Sequence, residues 1–475
     1  MFESAVGGLV AILDRYPWVS ELAGILPLSA LIDFIDVPAR LHIFQLSGST
    51  PLWSSPITPA GSRLLLSDDS SLDQSCHLDR HGNSISLLGL DGRYGGKYYI
   101  SSPETIRLCV GSHRPCMIDN LHNNMNGDDL RLQNLEIVHV SRLQNHTRHQ
   151  LSPSWLRRVF VQSPWLSSVH YLAVSIFGWV ILLAMIVMSI ILQTYLSLAF
   201  LILMPLTGIV VLALYGINPR GLLVDSSSDF NRLILVAEHE NTMNWTVFYG
   251  ESTVLNSLLN RPLKPLGRQP THTALLRIVL RIFILGQWAL AIGSSAVKDW
   301  DAYFITFWIA FCIFVQAYII PAEREAKQWM KSYAGIEIQR YQTQLSSRRA
   351  LLNTVMALNP DTFALSPGAQ EEDRTKLYDG AMRWIDPILE QGPSRTRWEE
   401  ATLKAMNEAA KKYTPEDTQG ENSNIAGSPS TEWEQEYRRD YWAPFIIEGI
   451  YMARKIREEA NLSGRYVGDT KPSRV

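Results

Sequence analysis

The residues best suited to chemistry are concentrated in one stretch of the chain. Residues 113–149 read HRPCMIDNLHNNMNGDDLRLQNLEIVHVSRLQNHTRH and are unusually rich in histidine and asparagine. Histidine can take up a proton near neutral pH, and histidine, aspartate and asparagine side chains can bind metal ions. Two interpretations follow: the stretch forms a site that activates water, or it is a polar loop and helix on a cytosolic surface.

The order of these residues resembles that of the HNH (His-Me finger) endonucleases. The matching residues are His122, Asn126-Gly127-Asp128, Arg131, Asn134-Leu135, Val138, Ser141 and Gln144-Asn145. In that family a histidine on a β-hairpin activates water, an asparagine orients it, and a helix residue completes a divalent-metal site. The resemblance implies that His122 is the general base, that Asn134 orients the water, and that Asn145 or His146 binds the metal.

Three departures from the HNH pattern argue against catalysis. The position before the base is Leu121, where the family has histidine or aspartate as a metal ligand. An aliphatic side chain cannot bind a hard cation, so activity would need a replacement ligand such as Asp119. The interval from Asn134 to Asn145 is longer than usual, and the Asn-Gly-Asp turn is out of register with the histidine. An inactive, structural HNH-like fold is therefore a third interpretation.

Two apolar regions predict how the chain is anchored. Residues 159–219 contain no Asp, Glu, Lys or Arg. This region is more than twice the length that one helix needs to cross a hydrocarbon core of about 30 Å. A second apolar region lies at 275–320. Its charged residues are Arg277 and Arg281 near the start and Lys298, Asp299 and Asp301 at a central turn. We expect two helical hairpins, with helices at 171–192 and 196–215 and then at 275–297 and 303–320.

The predicted fold class is an α-helical membrane protein with four transmembrane helices in two hairpins, an α+β N-terminal domain and a helical C-terminal cytosolic region. The expected divisions are an α+β domain at 1–155, a hairpin at 171–216, a cytosolic loop with a β-hairpin at 217–270, a second hairpin at 275–320, a helical region at 322–413, a linker at 414–430, a C-terminal helix at 431–462 and a tail at 463–475.

Local patterns predict individual elements within the soluble parts. Short β-branched and aromatic runs at 232–238 and 245–250 flank a polar turn, which is typical of a β-hairpin. Residues 322–357 have helix-forming composition and few breakers, so we expect them to extend the fourth helix. Further strands are expected at 41–46, 63–66, 84–90 and 97–100, and further helices at 252–263, 377–389, 397–413 and 432–460 with an interruption at Pro444.

The distribution of basic residues predicts the orientation of the helices. Lys and Arg gather at the outer ends of both hairpins, whereas the first hairpin turn has no charge and the second has a single basic residue, Lys298. Because cytosolic flanks carry the excess of basic residues, we expect the N-terminal domain, the middle loop, the C-terminal region and both termini in the cytosol. The sequons at Asn145, Asn244 and Asn461 would then stay unmodified.

The N-terminal segment contains apolar patches that charged residues interrupt. The patches are Val6 to Leu13 and Leu22 to Ile32, and the interruptions include Asp14, Arg15 and Glu21. No basic segment precedes a clean apolar core, so we expect no cleaved signal peptide. The patches are typical of amphipathic helices in a folded or membrane-apposed domain.

Basic and amide side chains near the expected membrane give further candidate residues. Arg157, Arg158, Arg277 and Arg281 are expected to contact lipid headgroups. For the first pair the alternative is ordinary orientation signalling, and for the second pair it is an anion or substrate pathway. Three glutamines in or beside the spans are expected to form interhelical hydrogen bonds rather than a transport path: Gln193, Gln287 and Gln316.

Composition limits the classes of function. Charged residues make up 19% of the 475, and the apolar bands that dilute them exclude a purely soluble protein. The extent of chain outside the bands excludes a wholly membrane-embedded transporter. A net charge of -3 gives no footprint for nucleic-acid binding, and the four cysteines give no disulfide framework. Residues 229–263 are similar to uncharacterised multi-pass membrane proteins of filamentous fungi, which implies no activity.

The sequence does not decide whether the chain is an enzyme. No convergent set of acid, base, nucleophile and metal ligands is visible, which favours a non-enzymatic scaffold or binding protein at a cellular membrane. One alternative is a membrane-tethered HNH-like nuclease or its inactive relative, and another is a small transporter or channel subunit. No cofactor is expected, except a divalent metal under the nuclease alternative. The expected partners are the lipid bilayer, a cytosolic protein and a second copy of this chain, whereas nucleic acid is not expected.

Overall fold

The computed structural model describes residues 15–30, 52–54, 86–101, 113–120, 132–143, 169–216, 220–222, 230–261, 264–265, 273–319, 322–362, 382–412 and 431–462, together with positions 11, 110, 111 and 228. The candidate residues His122, Asn145, His146, Arg157 and Arg158 lie outside the described residues, as do the strands expected at 41–46 and 63–66.

A seven-stranded mixed sheet is the centre of the described residues. Its strands are β1 Leu88–Asp91, β2 Lys97–Tyr99, β3 Cys116–Met117, β4 Gln133–Arg142, β6 Asn231–Ala237, β7 Asn244–Glu251 and β9 Ile336–Leu345. They stand in the order β2-β1-β6-β7-β4-β9-β3. Neighbours pair antiparallel, except that β4 runs parallel to β7 and β3 parallel to β9. Two further strands, β5 Arg220–Gly221 and β8 Lys264–Pro265, form a separate ribbon.

The described helices fall into two sets. Their bounds are α1 Pro17–Ala30, α2 Val169–Ile191, α3 Tyr195–Val211, α4 Ser252–Asn260, α5 Thr273–Val297, α6 Trp300–Phe314, α7 Ala322–Trp329, α8 Arg348–Leu358, α9 Pro393–Lys412, α10 Thr431–Tyr437 and α11 Ala443–Glu459. Helices α4 and α7 to α11 cover the sheet, whereas α1, α2, α3, α5 and α6 form an apolar bundle. One π-helical turn follows each of α3, α6 and α7, at Leu212–Gly216, Val315–Ile319 and Met330–Ala334.

Both faces of the sheet are buried under helices. Successive residues of a strand point to opposite faces, and on β4 Leu135 and Ile137 enter one core while Val138 and Val140 enter the other. The first core is completed by α8, α9, α10 and α11, and the second by α4 and α7. The sheet is therefore the middle layer of three.

Two apolar hairpins leave the sheet and return to it at one end. Helices α2 and α3 lie between β4 and β6 in the chain, and α5 and α6 lie between β7 and β9. The register places the four strand ends together, because Gly250 is opposite both Val140 and Arg232, and Arg142 is opposite Ile336. We call this the hairpin end of the sheet and the opposite one the distal end.

Short turns close the hairpins on the side away from the sheet. Gln193 and Lys298 each adopt a left-handed backbone with φ 58°, which reverses the chain within a few residues. Asp299 starts α6, since its carboxylate accepts the N–H of Trp300 at 2.7 Å. The hairpins predicted from the sequence therefore have short connections, as expected.

The N-terminal part of the chain packs against both hairpins. Helix α1 lies on α5 and α6, and a 3-10 turn at Leu52–Ser54 lies on α2 and α3. The side chain of Trp53 is 1% exposed, and its ring centroid lies 6.1 Å from that of Trp308 and 5.8 Å from that of Phe311. This contact could not be predicted from the sequence, because residues distant along the chain make it.

The expectation of one extended helix over residues 322–357 is wrong. The π turn after α7 ends at Ala334, Gly335 adopts φ 68°, and β9 follows. A glycine takes this left-handed backbone without a steric penalty, so it ends the helix. Ile336 and Ile338 then enter the sheet core, and pairing with β4 outweighs the helical propensity of the segment.

The soluble regions share one sheet, although the sequence divided them into separate modules. Strands β1 to β4 come from the region 1–155, β6 and β7 from the middle loop, and β9 from the region after the second hairpin. Pairing across such distances leaves no local pattern in the sequence. The β6–β7 hairpin, helix α4, helix α9 and the interruption before α11 at Pro444 are confirmed.

Candidate functional site

The hairpin helices expose apolar side chains on their outer surface. Ile176, Phe177 and Leu183 on α2 are each more than half exposed, and the other exposed apolar residues of the hairpins include Val180, Val187, Ile190, Ile202, Ile209, Ile278, Ile282, Leu285, Ile292, Phe307 and Phe314. A soluble protein rarely exposes so continuous an apolar surface. Three helices are long and apolar enough to cross a membrane, at Ala173–Ile191, Tyr195–Leu214 and Thr273–Val297, and Trp300–Phe314 is a shorter apolar helix.

Polar side chains lie inside the bundle, where they bond across helices. The Gln287 side-chain amide on α5 donates to the Thr207 hydroxyl on α3 at 2.8 Å, and both residues are buried. The predicted interhelical hydrogen bond of Gln287 is therefore confirmed. Gln193 lies in the first hairpin turn, and the side chain of Gln316 lies outside the described part of the chain.

A second polar contact joins the two hairpins beside their turns. Asp301 in the first turn of α6 is 6% exposed, and its carboxylate accepts the backbone N–H of Ser197 on α3 at 2.7 Å. The hydroxyls of Ser189 and Ser197 are 3.0 Å apart, so α2 joins the same cluster. A carboxylate at a helix N-terminus satisfies otherwise unpaired N–H groups, which explains a buried acid at this position.

Arg277 and Arg281 lie near the start of α5, the end of this helix that follows the sheet. They are four residues apart, which places them on one helix face about 6 Å apart along the axis. Both side chains are half-buried. Their expected contact with lipid headgroups stays a prediction, as does the alternative pathway role.

The described candidates of the HNH-like stretch lie at the distal end of the sheet. Asn134 on β4 is in register with Gln344 on β9, and the Asn120 side chain on the other side of β9 donates to the Gln344 carbonyl at 2.9 Å. Asp119 therefore lies near Asn134, with β9 between them. The structure brings these two residues to one end of the sheet, away from the hairpins.

The contacts of Asn134 and Asp119 join neighbouring strands and attach a helix to the sheet. The Asn134 side-chain amide donates to Oδ1 of Asn244 on β7 at 2.8 Å, and the Asp119 carbonyl accepts from Nζ of Lys455 on α11 at 2.8 Å. Within the residues that the structure describes, no three His, Cys, Asp or Glu side chains gather as a metal site. His122, Asn145 and His146 belong to the undescribed part, so the metal-dependent alternative stays a prediction.

Sequence reasoning did not find Glu448 on α11, which is the most buried acid among the described residues of the sheet domain. It is 1% exposed and accepts from Asn120 Nδ2 at 2.6 Å, from the Ser346 N–H at 2.9 Å and from the Ser346 hydroxyl. The available signal was its place among the apolar residues that line α11, such as Ile446 and Ile450. Glu448 therefore attaches α11 to Ser346, which directly follows β9, and to Asn120, which follows β3.

His139 on β4 has a pKa below the ordinary histidine value. Its ring lies on β4, 6.0 Å from the ring of Tyr249, and burial lowers the pKa of His139, while a hydrogen bond to the Ala460 carbonyl opposes that decrease. The folded chain therefore favours the neutral imidazole. Because Ala460 follows α11, His139 connects the centre of the sheet to the end of that helix.

Lowering the pH below 6.5 is expected to destabilise the folded chain through His139. The unfolded chain binds a proton on this imidazole near its ordinary pKa, whereas the lowered pKa of His139 in the folded chain delays protonation, so acid favours unfolding. The stability that the folded chain gains from keeping His139 neutral is fully present above pH 6.5 and is lost as the pH falls through the lowered pKa of His139. Thermal midpoints of full-length protein between pH 7.5 and 5.5 test this.

The matched control replaces the exposed His239 in the β6–β7 turn. His139→Gln is expected to flatten the fall of the thermal midpoint below pH 6.5, whereas His239→Gln leaves that fall as it is in the parent protein. Equal pH profiles for the parent and His139→Gln would contradict the assignment.

Comparisons with known proteins give no relative of this chain. No family model, no curated protein and no solved structure matches it.

Proposed function

We propose that the chain is a multi-pass membrane protein in which α2, α3, α5 and α6 cross the bilayer as two hairpins and anchor the sheet domain on the cytosolic face. In this proposal it acts as a non-enzymatic scaffold or binding protein. The observation that carries the proposal is the attachment of both hairpins to one end of four adjacent strands.

The sheet sets a parity rule for the crossings. A bilayer cannot pass between hydrogen-bonded strands, so the chain must cross it an even number of times between β4 and β6, and again between β7 and β9. Helices α2 and α3 supply the first pair. Between β7 and β9, helix α5 is long enough to cross the bilayer once. A second crossing is therefore required before the chain returns to β9.

Helix α6 supplies the return crossing. The helical residues 300–319, which comprise α6 and its π turn, span about 30 Å at ~1.5 Å per residue, which matches the hydrocarbon core. The parity rule therefore supports four crossings, although α6 itself is short. A second copy of the chain or a cytosolic protein bound to the sheet domain belongs to the same proposal.

The interior of the bundle supports anchoring rather than transport. Leu201, Met204, Ile305 and Trp308 are fully buried where the hairpins meet. Large side chains fill the described space between the helices, and the buried polar pair Gln287 and Thr207 bonds internally. In the same way, Asn120 and Asn134 use their side chains to connect strands and helices, which supports a structural role for the HNH-like stretch.

Side-specific labelling of single cysteines tests the four crossings. The background is a full-length variant that lacks the native cysteines Cys76, Cys109, Cys116 and Cys312. A single new cysteine then replaces Tyr195 at the first turn, Val297 at the second turn, or Tyr99 in the sheet domain. These residues are 71%, 59% and 68% exposed, so they are matched in access. The label is a membrane-impermeant maleimide applied to sealed vesicles.

We expect Tyr195→Cys and Val297→Cys to react from one side of the vesicle and Tyr99→Cys from the other. Reaction of all three from the same side would contradict the proposal. A separate result would contradict the non-enzymatic role, namely metal-dependent cleavage of plasmid DNA or RNA by the full-length protein that is lost in His122→Ala.

A further inference from the structure

Helix α1 contacts the turn of the second hairpin, on the side of the bundle away from the sheet. The Tyr303 hydroxyl in α6 donates to the Val19 carbonyl at 2.7 Å. Lys298 in the turn pairs with Glu21 at 2.8 Å. These contacts are made by the first turns of α1, so its N-terminal end lies beside the hairpin turn.

Helix α1 buries one side against the bundle and exposes apolar side chains on another, as the hairpin helices do. Val19 is 8% exposed and Ala23 is fully buried, four residues apart on the face toward α5 and α6. Apolar residues on a neighbouring face of the same helix point outward, with Trp18 at 67% and Ile25 at 62% exposure. Exposed apolar side chains on a helix that packs against α5 and α6 are what a helix in contact with lipid would show.

The 3-10 turn at Leu52–Ser54 contacts the bundle helices between their two ends. The 3-10 turn packs against Gly178 and Gly208, where a Cβ atom would overlap the Trp53 ring and the Leu52 backbone respectively. Both glycines lie ~20 Å along their helices from the first hairpin turn. Residue 88 then starts β1 in the sheet, on the other side of the bundle.

We infer that α1 and the 3-10 turn at Leu52–Ser54 are embedded in the membrane beside the four hairpin helices, and that the N-terminal end of α1 lies on the membrane face opposite to the sheet domain. The outer face of α1 contacts lipid acyl chains. This inference rests on the proposed four crossings. It places the N-terminus outside the cytosol, whereas the sequence predicted both termini inside it.

The charges of the segment before α1 agree with this placement. Residues 1–16 contain Glu3, Asp14 and a single basic side chain, Arg15. Basic residues retain a flank in the cytosol, whereas acidic residues contribute little to orientation. The segment therefore lacks the excess of Lys and Arg that would oppose its transfer across the membrane.

A single reporter cysteine at Arg15, which is exposed and directly precedes α1, tests the inference. In the cysteine-free full-length protein, Arg15→Cys is compared with Tyr195→Cys at the first hairpin turn and Tyr99→Cys in the sheet domain. Sealed vesicles are labelled with the impermeant maleimide from each side, and detergent-treated vesicles give the total reactive cysteine.

We expect Arg15→Cys to react at least tenfold more from the side that labels Tyr195→Cys. Reaction from the side of Tyr99→Cys, equal reaction from both sides, or reaction only after detergent would overturn the inference and leave the four crossings intact. If Tyr195→Cys and Tyr99→Cys react from one side, the proposed function itself fails.

Discussion

Replacing Glu448 with alanine is expected to detach α11 from the distal end of the sheet. The expected loss is about 3 kcal/mol in the free energy that protects this helix from opening, because the variant leaves three buried donors without their charged acceptor. These donors are the N–H and the hydroxyl of Ser346 and the side-chain amide of Asn120. Amide hydrogens of α11 should then exchange roughly a hundredfold faster.

The size of the effect follows from burial. Glu448 is 1% exposed, so water cannot replace the lost carboxylate without opening the interface. Glu448→Gln is expected to have a smaller effect, because the amide oxygen still accepts one of the donors. Hydrogen exchange of the full-length protein in detergent micelles, followed by mass spectrometry of peptides from 443–459, measures both variants.

The same helix provides the control. Glu458 pairs with Arg454 four residues away, and its side chain is 54% exposed. An exposed ion pair of this kind contributes a few tenths of a kcal/mol, so Glu458→Ala should leave exchange in α11 almost unchanged. Exchange in Glu448→Ala that is as slow as in Glu458→Ala would show that the buried carboxylate does not attach the helix.

The elements that the sequence predicted well depend on local patterns. The uncharged run from 159 to 219 contains α2 and α3, and the two β-branched runs around residue 240 form β6 and β7. Pro444 lies in the first turn of α11, where its missing N–H costs nothing. In each case the residues that specify the element are neighbours in the chain.

The elements that the sequence missed depend on distant partners. Residues 322–357 have helix-forming composition as a whole, yet β9 within them becomes a strand because its inward residues complete a core begun by β4, about two hundred positions earlier. Likewise, Glu448 has its partners at 120 and 346. A single sequence carries no information on which distant segments pair, so the order of the strands and these buried contacts could not be predicted.

The N-terminal segment illustrates both cases. Its apolar patches are visible in the sequence, and an amphipathic helix was expected there. Ala23 is buried because α1 packs against α5 and α6, which lie about 250 positions later in the chain. The pattern therefore predicted a helix, whereas its depth in the bundle needed the three-dimensional contacts.

Adding one methyl group at Gly208 or Gly178 is expected to destabilise the bundle by about 1–3 kcal/mol, because overpacking forces neighbours to move. At Gly208 the methyl group would overlap the backbone of Leu52, and at Gly178 it would overlap the indole of Trp53. The thermal midpoint of the full-length protein in detergent micelles measures the loss.

Gly293 on α5 is the matched control. It also lies in a helix of the bundle, and a Cβ atom there would meet nothing within 4 Å. Gly293→Ala should therefore keep or raise the thermal midpoint, since alanine is the better helix former by up to about 1 kcal/mol. The contrast among three glycines of one bundle separates a steric effect from a general effect of glycine replacement.

Removal of the Trp53 side chain distinguishes the two glycines from each other. In a Trp53→Ala background the indole is absent, so Gly178→Ala should add little further loss. Gly208→Ala should remain costly in that background, because its neighbour is a backbone carbonyl that the Trp53 substitution leaves in place. Equal tolerance of alanine at 178, 208 and 293 in the parent protein would show that residues 52–54 do not lie between the hairpins. The membrane-embedded position of the N-terminal segment would then lose its main structural support.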